Sequence, residues 1–224
     1  MPETSCFTPE LFRFLRQLKR NNRREWFLKN KERYEAAVRD PCLRFVLGLN
    51  GPLHEISPYL VADPRPTGGA LFRIYRDVRF STDKKPYKTH TGMHFPVRAA
   101  NKDAHTPGFY LHFEPGNCFV AGGSWRPDPR TLLRVREAIA ADPQAWGAAR
   151  RGLEVEGNAL LRPPRGFDPA HPFIEDLKRK DFYALAGFSD RQVTGATFQR
   201  DFLRAARKLS PLVAFLARAI GLRY

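Results

Sequence analysis

The sequence is short of sulfur, of acidic residues and of long apolar runs, and each shortage removes a class of protein. Three cysteines, Cys6, Cys42 and Cys118, are scattered along 224 residues. Their odd number and the lack of a CxxC pair argue against a disulfide framework or a zinc knuckle, and point to a reducing, cytoplasmic setting. No apolar run approaches the roughly 20 residues that span a bilayer. The most apolar stretch, Leu212 to Leu222, is short and carries Arg218. The start, Met1-Pro2-Glu3-Thr4-Ser5, has neither the charge nor the apolar core of a signal peptide, so no membrane role is expected. HExxH, P-loop and GxGxxG patterns are absent, as are internal repeats and low-complexity tracts.

What is present is positive charge. Thirty-eight Lys and Arg face 23 Asp and Glu, giving a net charge of +15. Such an excess draws anions, whether nucleic acid or phosphorylated small molecules. Arg outnumbers Lys, so a coding bias toward Arg is the competing source of the charge. Hydrophobic residues make up 42% of the chain, enough for one core, and the length fits a single domain over residues 1–224.

Hydrophobic periodicity divides the chain. Thr8-Pro9 reads as a helix start, and Leu11, Phe14, Leu15 and Leu18 form one stripe. Asn22 with Glu25 opens a second helix, and Asp40-Pro41 a third. A Pro- and Gly-rich loop follows at 63–69. The period then changes to two. Phe72, Ile74, Val78 and Phe80 alternate with Arg73, Tyr75, Asp77 and Arg79, which predicts a half-buried strand. Thr91 to Val97 and Phe109 to Glu114 alternate as well. Cys118 to Ala121 pairs back across the turn at Glu114-Pro115-Gly116-Asn117, and Gly122-Gly123 is read as the end of the sheet run. Asp128-Pro129 and Asp142-Pro143 each open a helix, Pro172 to Lys178 reads as a short helix, and Asp181 to Phe188 as a further strand. Phe198 to Ile220 reads as a long amphipathic helix interrupted at Pro211. The expected class is α+β, with an antiparallel sheet in the middle of the chain between N-terminal and C-terminal helices.

The densest chemistry lies between Arg73 and Lys88, where six Lys and Arg oppose two Asp. Arg73, Arg76, Arg79, Lys84 and Lys88 are candidate anion clamps, because guanidinium forks and ammonium groups match phosphate and carboxylate. Asp77 and Asp83 are candidates to orient them, and Tyr87 to stack on a ring of the ligand. His112 and Glu114 share a strand face and form a candidate acid–base pair. His90 and His94 spell HxxxH. In a strand, however, their Cα atoms stand about 13 Å apart, too far to share a metal. A cross-strand pairing of His90 with His112 is a further metal option. On balance no metal is expected, and no cofactor is assigned. Cys118 is read as core rather than nucleophile.

The string Arg76-Asp77-Val78-Arg79-Phe80, followed by Asp83-Lys84 and Tyr87, resembles the signature of domain of unknown function family 2461. Asn22-Arg23-Arg24-Glu25-Trp26-Phe27, Tyr110-Leu-His112-Phe-Glu114-Pro-Gly116 and Gly122-Gly123 extend the resemblance over nearly the whole chain. It implies that the matching residues Arg73, Arg76, Asp77, Arg79, Phe80, Asp83, Lys84 and Tyr87 matter to the family, and it implies no activity. His90 lies outside that pattern. The residues themselves favour an anionic small-molecule site. A nucleic-acid-binding protein without catalysis is the alternative, supported by eight Lys and Arg against one Glu between Arg13 and Lys31. A structural module with an internal Arg/Asp network is the third.

Overall fold

A computed structural model describes residues 5–99 and 105–224. The fold is α+β, with a four-stranded antiparallel sheet between N-terminal and C-terminal helices. Helix α1 (Pro9–Arg20) begins at the expected proline and buries Leu11, Phe14, Leu15 and Leu18 completely. Helices α2 (Arg24–Lys29) and α3 (Lys31–Tyr34) follow. A π-helical turn at Glu35–Arg39 then leads into α4 (Asp40–Gly48) and α5 (Asn50–His54).

The sheet is a meander in the order β1 (Thr91–Pro96), β2 (Gly108–Glu114), β3 (Asn117–Ser124) and β4 (Phe182–Phe188). β3 continues through Gly122-Gly123 to Ser124, three residues past Ala121. Strand alternation gives the sheet two unlike faces. Met93, Phe95, Phe109, Leu111, Phe113 and Val120 are fully buried on one of them. There α10 (Phe198–Ala219) packs across β3. A Cβ on Gly122 would stand 2.7 Å from Leu209 Cβ, so the helix approaches this closely only because a glycine lies beneath it.

The excursion from β3 to β4 carries α6 (Pro129–Ala141), α7 (Pro143–Ala149) and α8 (Ile174–Leu177), and α9 (Asp190–Val193) follows β4. Asp128 caps α6 by accepting the N–H groups of Arg130 and Thr131, and Asp142 caps α7 through Ala145. The α10 helix runs unbroken through Pro211, against the expected interruption. A mid-helix proline costs about 3 kcal/mol. Burial of Leu209, Leu212 and Val213 on either side of it holds both halves against the sheet.

The expected strand at 72–80 does not form. An isolated bridge joins Leu71 to Met93, a second joins Tyr75 to Tyr87, and the remainder is irregular. Two local features stop the ladder. Asp77 Oδ1 accepts the Arg79 N–H at 3.2 Å, which bends the chain into a side-chain-closed turn. On the return limb Pro86 has no N–H to donate, and only its carbonyl is used, by the Arg76 N–H at 2.9 Å. The result is a short ribbon capped by a loop. No described helix is long and apolar enough to cross a membrane.

Candidate functional site

The sheet face opposite α10 carries the chemistry. Alternation along β2 sets Tyr110, His112 and Glu114 on that face, and the register places Gly92 of β1 opposite His112. A Cβ at Gly92 would lie 2.4 Å from the Tyr110 hydroxyl, so glycine there makes room for the tyrosine ring. The hydroxyl sits 3.0 Å from His112 Nδ1 and fixes the imidazole. The ring stacks on Phe119, its cross-strand partner on β3, with centroids 4.7 Å apart and planes 10° apart.

The other ring nitrogen, His112 Nε2, is buried and has no hydrogen-bond partner among the described residues. Glu114 Oε2 is 3.9 Å from it, beyond hydrogen-bond range. Glu114 also faces Lys19 of α1, whose Nζ is 3.4 Å from Oε1. The His90 ring lies 4.6 Å from that of His112. Burial and the neighbouring His90 press the His112 pKa down to about 4, against the opposing pull of Glu114. His90 is lowered by burial and by Lys88, with Arg76 adding to it and Glu114 opposing it. Burial, assisted by Arg73, lowers Lys88 in turn, and its ammonium rests over the Phe72 ring at 5.5 Å. Burial and neighbouring charge thus hold both imidazoles below the ordinary histidine range.

The predicted residues therefore divide into two groups. Lys88 and Arg76 act on His90, beside His112 and Glu114, and Arg73 acts on Lys88. Arg79 and Lys84 belong to the outer loop. Arg79 grips Asp77 with both ends of its fork, at 3.0 Å from Nε to Oδ1 and 2.6 Å from Nη2 to Oδ2. That grip and the Arg79 backbone N–H hold the Asp77 carboxyl at about 2. Lys84 Nζ donates to the Val78 carbonyl at 3.1 Å. Arg76 pairs with Asp83 at 2.8 Å, and that bond lowers the Asp83 carboxyl. Asp77 is thus bonded to Arg79 and Asp83 to Arg76. Tyr87 does not face a ligand: it is 3% exposed and stacks on Phe27 at 4.1 Å, so its ring belongs to the core.

Cys118 points to the opposite face, sharing the core side with Phe113, and burial raises its thiol to about 12. It stays protonated and is no partner for His112. Among the described residues no group of three or more His, Cys, Asp and Glu is placed to hold a metal. Spacing alone assigns no role to Tyr110, Phe119 or Gly92, and brings His90 in only through a cross-strand pairing with His112. Tyr110 was accessible, being two residues from His112 on one strand. The proximity of His90 and the use of Gly92 depend on the strand register.

A family model described as "Conserved hypothetical protein (DUF2461)" matches residues 10–215. No curated protein matches the chain.

Proposed function

The chain belongs to the DUF2461 family of conserved hypothetical proteins, and from the geometry of its site we propose that it binds a phosphorylated or otherwise anionic small molecule on the His90–His112 side of the sheet and performs acid–base chemistry on it. Lys88, Arg73 and Arg76 would neutralise the anion. His112 would exchange a proton at Nε2, held in place by Tyr110 at Nδ1, and Glu114 would stabilise the imidazolium. The observation that supports this reading is the buried His112 Nε2, which has no hydrogen-bond partner among the described residues and lies beside His90. Buried polar groups are normally satisfied, and the exceptions concentrate at functional sites. The pairing of Asp77 with Arg79 serves the loop in this reading, not the ligand, and Asp83 orients Arg76.

Calorimetric titration with a panel of phosphorylated and carboxylated metabolites tests it. At least one compound should bind wild type, and Lys88→Ala should weaken that binding about 10-fold, a charge-assisted contact being worth roughly 1.5–3 kcal/mol. A panel without a binder, or equal binding by Lys88→Ala, contradicts the proposal.

A further inference from the structure

The loop above this cluster presents an aromatic ring almost wholly to solvent. Phe80 is 96% exposed, and Tyr75 at the loop's base is 49% exposed. Leaving such rings in water forgoes the free energy that burial would supply. The loop that holds them out is braced. Arg76 bonds Asp83 across its base, Arg79 grips Asp77, and Asp83 accepts the Lys85 N–H at 3.1 Å. The tip is therefore shaped before any partner arrives.

A cation stands over the exposed Phe80 ring. The Arg79 guanidinium carbon lies 5.8 Å from the Phe80 centroid, and Lys84 and Lys85 follow in an exposed run. The ribbon is also tied to the turn between α1 and α2. Asn22 Nδ2 donates to the Tyr87 carbonyl at 2.9 Å, and Asn22 Oδ1 accepts the Tyr87 N–H at 3.1 Å. That junction brings exposed Arg20, Arg23 and Arg24 beside the ribbon.

We propose that this loop and turn bind single-stranded nucleic acid, with Phe80 and Tyr75 stacking on bases and the flanking cations following the phosphates. Interleaved aromatic and basic side chains match a strand that offers π faces and regular negative charge together. A lipid surface would call for several apolar anchors, whereas the neighbours of Phe80 toward the tip are Ser81 and Thr82. The net charge of +15 adds long-range attraction to the same partner. This inference is independent of the small-molecule reading.

The test uses the full chain and a fluorescein-labelled single strand of about 16 thymidines, the upper range of single-strand site sizes. A duplex of equal length and vesicles of phosphatidylcholine with phosphatidylserine are measured alongside. Wild type should bind the single strand more tightly than the duplex, and weaken steeply between about 50 and about 200 mM salt. Phe80→Ala should lose about 10-fold or more, as expected for one lost base stack, and Phe80→Trp should retain the affinity. The Phe80→Ala melting temperature should equal that of wild type, because the ring packs on no core. Equal affinity of Phe80→Ala and wild type, no binding at the lower salt, or Phe80-dependent binding to vesicles but not to the oligonucleotide would each overturn the proposal.

Discussion

The Tyr110 hydroxyl meets His112 Nδ1 at 3.0 Å, two residues apart on one face of β2, while His112 Nε2 on the far side of the ring has no hydrogen-bond partner among the described residues. One nitrogen is anchored and the other is poised in a buried position among His90, Glu114 and Phe119. An imidazole that served only packing would gain by satisfying both nitrogens.

Acid should destabilise the fold through this ring. The His112 pKa falls from 6.5 to about 4 on folding, so between those values the unfolded chain binds more protons than the folded one. Stability then rises with pH across that window and is lost as pH falls from about 6.5 toward about 4. Urea unfolding at several pH values should show this slope in wild type and a shallower one in His112→Gln. An unchanged slope would mean that His112 titrates normally.

Gly92→Ala should displace Tyr110. The new methyl would come within 2.4 Å of the hydroxyl, so the ring must swing away and release His112. A cost of about 1–3 kcal/mol is expected, as for other overpacked sites. Thermal unfolding checks the stability, and the imidazole resonances of His112 check the release. Unaltered resonances would show that the ring has room to spare.

Asn22→Ala should loosen the ribbon. The Asn22 side chain is buried and satisfies both backbone groups of Tyr87, so its loss leaves a donor and an acceptor buried without partners. About 2–4 kcal/mol of stability should go, and amide exchange should quicken first at Tyr87.

Asp176→Asn tests the charged network behind the sheet. This carboxylate is 2% exposed and accepts from Trp146 Nε1 at 2.8 Å, from Arg179 Nε at 3.0 Å and from Arg150. Removing its charge leaves two guanidinium groups short of a counter-ion. About 3 kcal/mol should be lost in urea unfolding, with no change in ligand binding at the His90–His112 cluster.

Periodicity was a sound guide wherever one face of an element is buried. Leu11, Phe14, Leu15 and Leu18 specified α1, and Phe109, Leu111 and Phe113 specified β2. It misled at 72–80, where Ile74 is buried but Phe80 lies in solvent. There the deciding forces are local: a carboxylate closing a turn at Asp77, and a missing N–H at Pro86. Pro211 misled in the other direction, because packing on both of its sides outweighs one lost helical bond. At the site, the common face of His112 and Glu114 could be read from spacing alone, and a cross-strand approach of His90 to His112 was an open option. The space left by Gly92 could not be read, since it follows from which residue of β1 lies opposite which residue of β2.

The most direct test of the anion site is an NMR titration of the histidine side chains with inorganic phosphate, in wild type and in Lys88→Ala. Saturable shifts of His90 and His112, with both pKa values raised in the bound state and the response lost in Lys88→Ala, are the predicted result. Histidine signals that ignore phosphate, or that move identically without Lys88, would contradict the account.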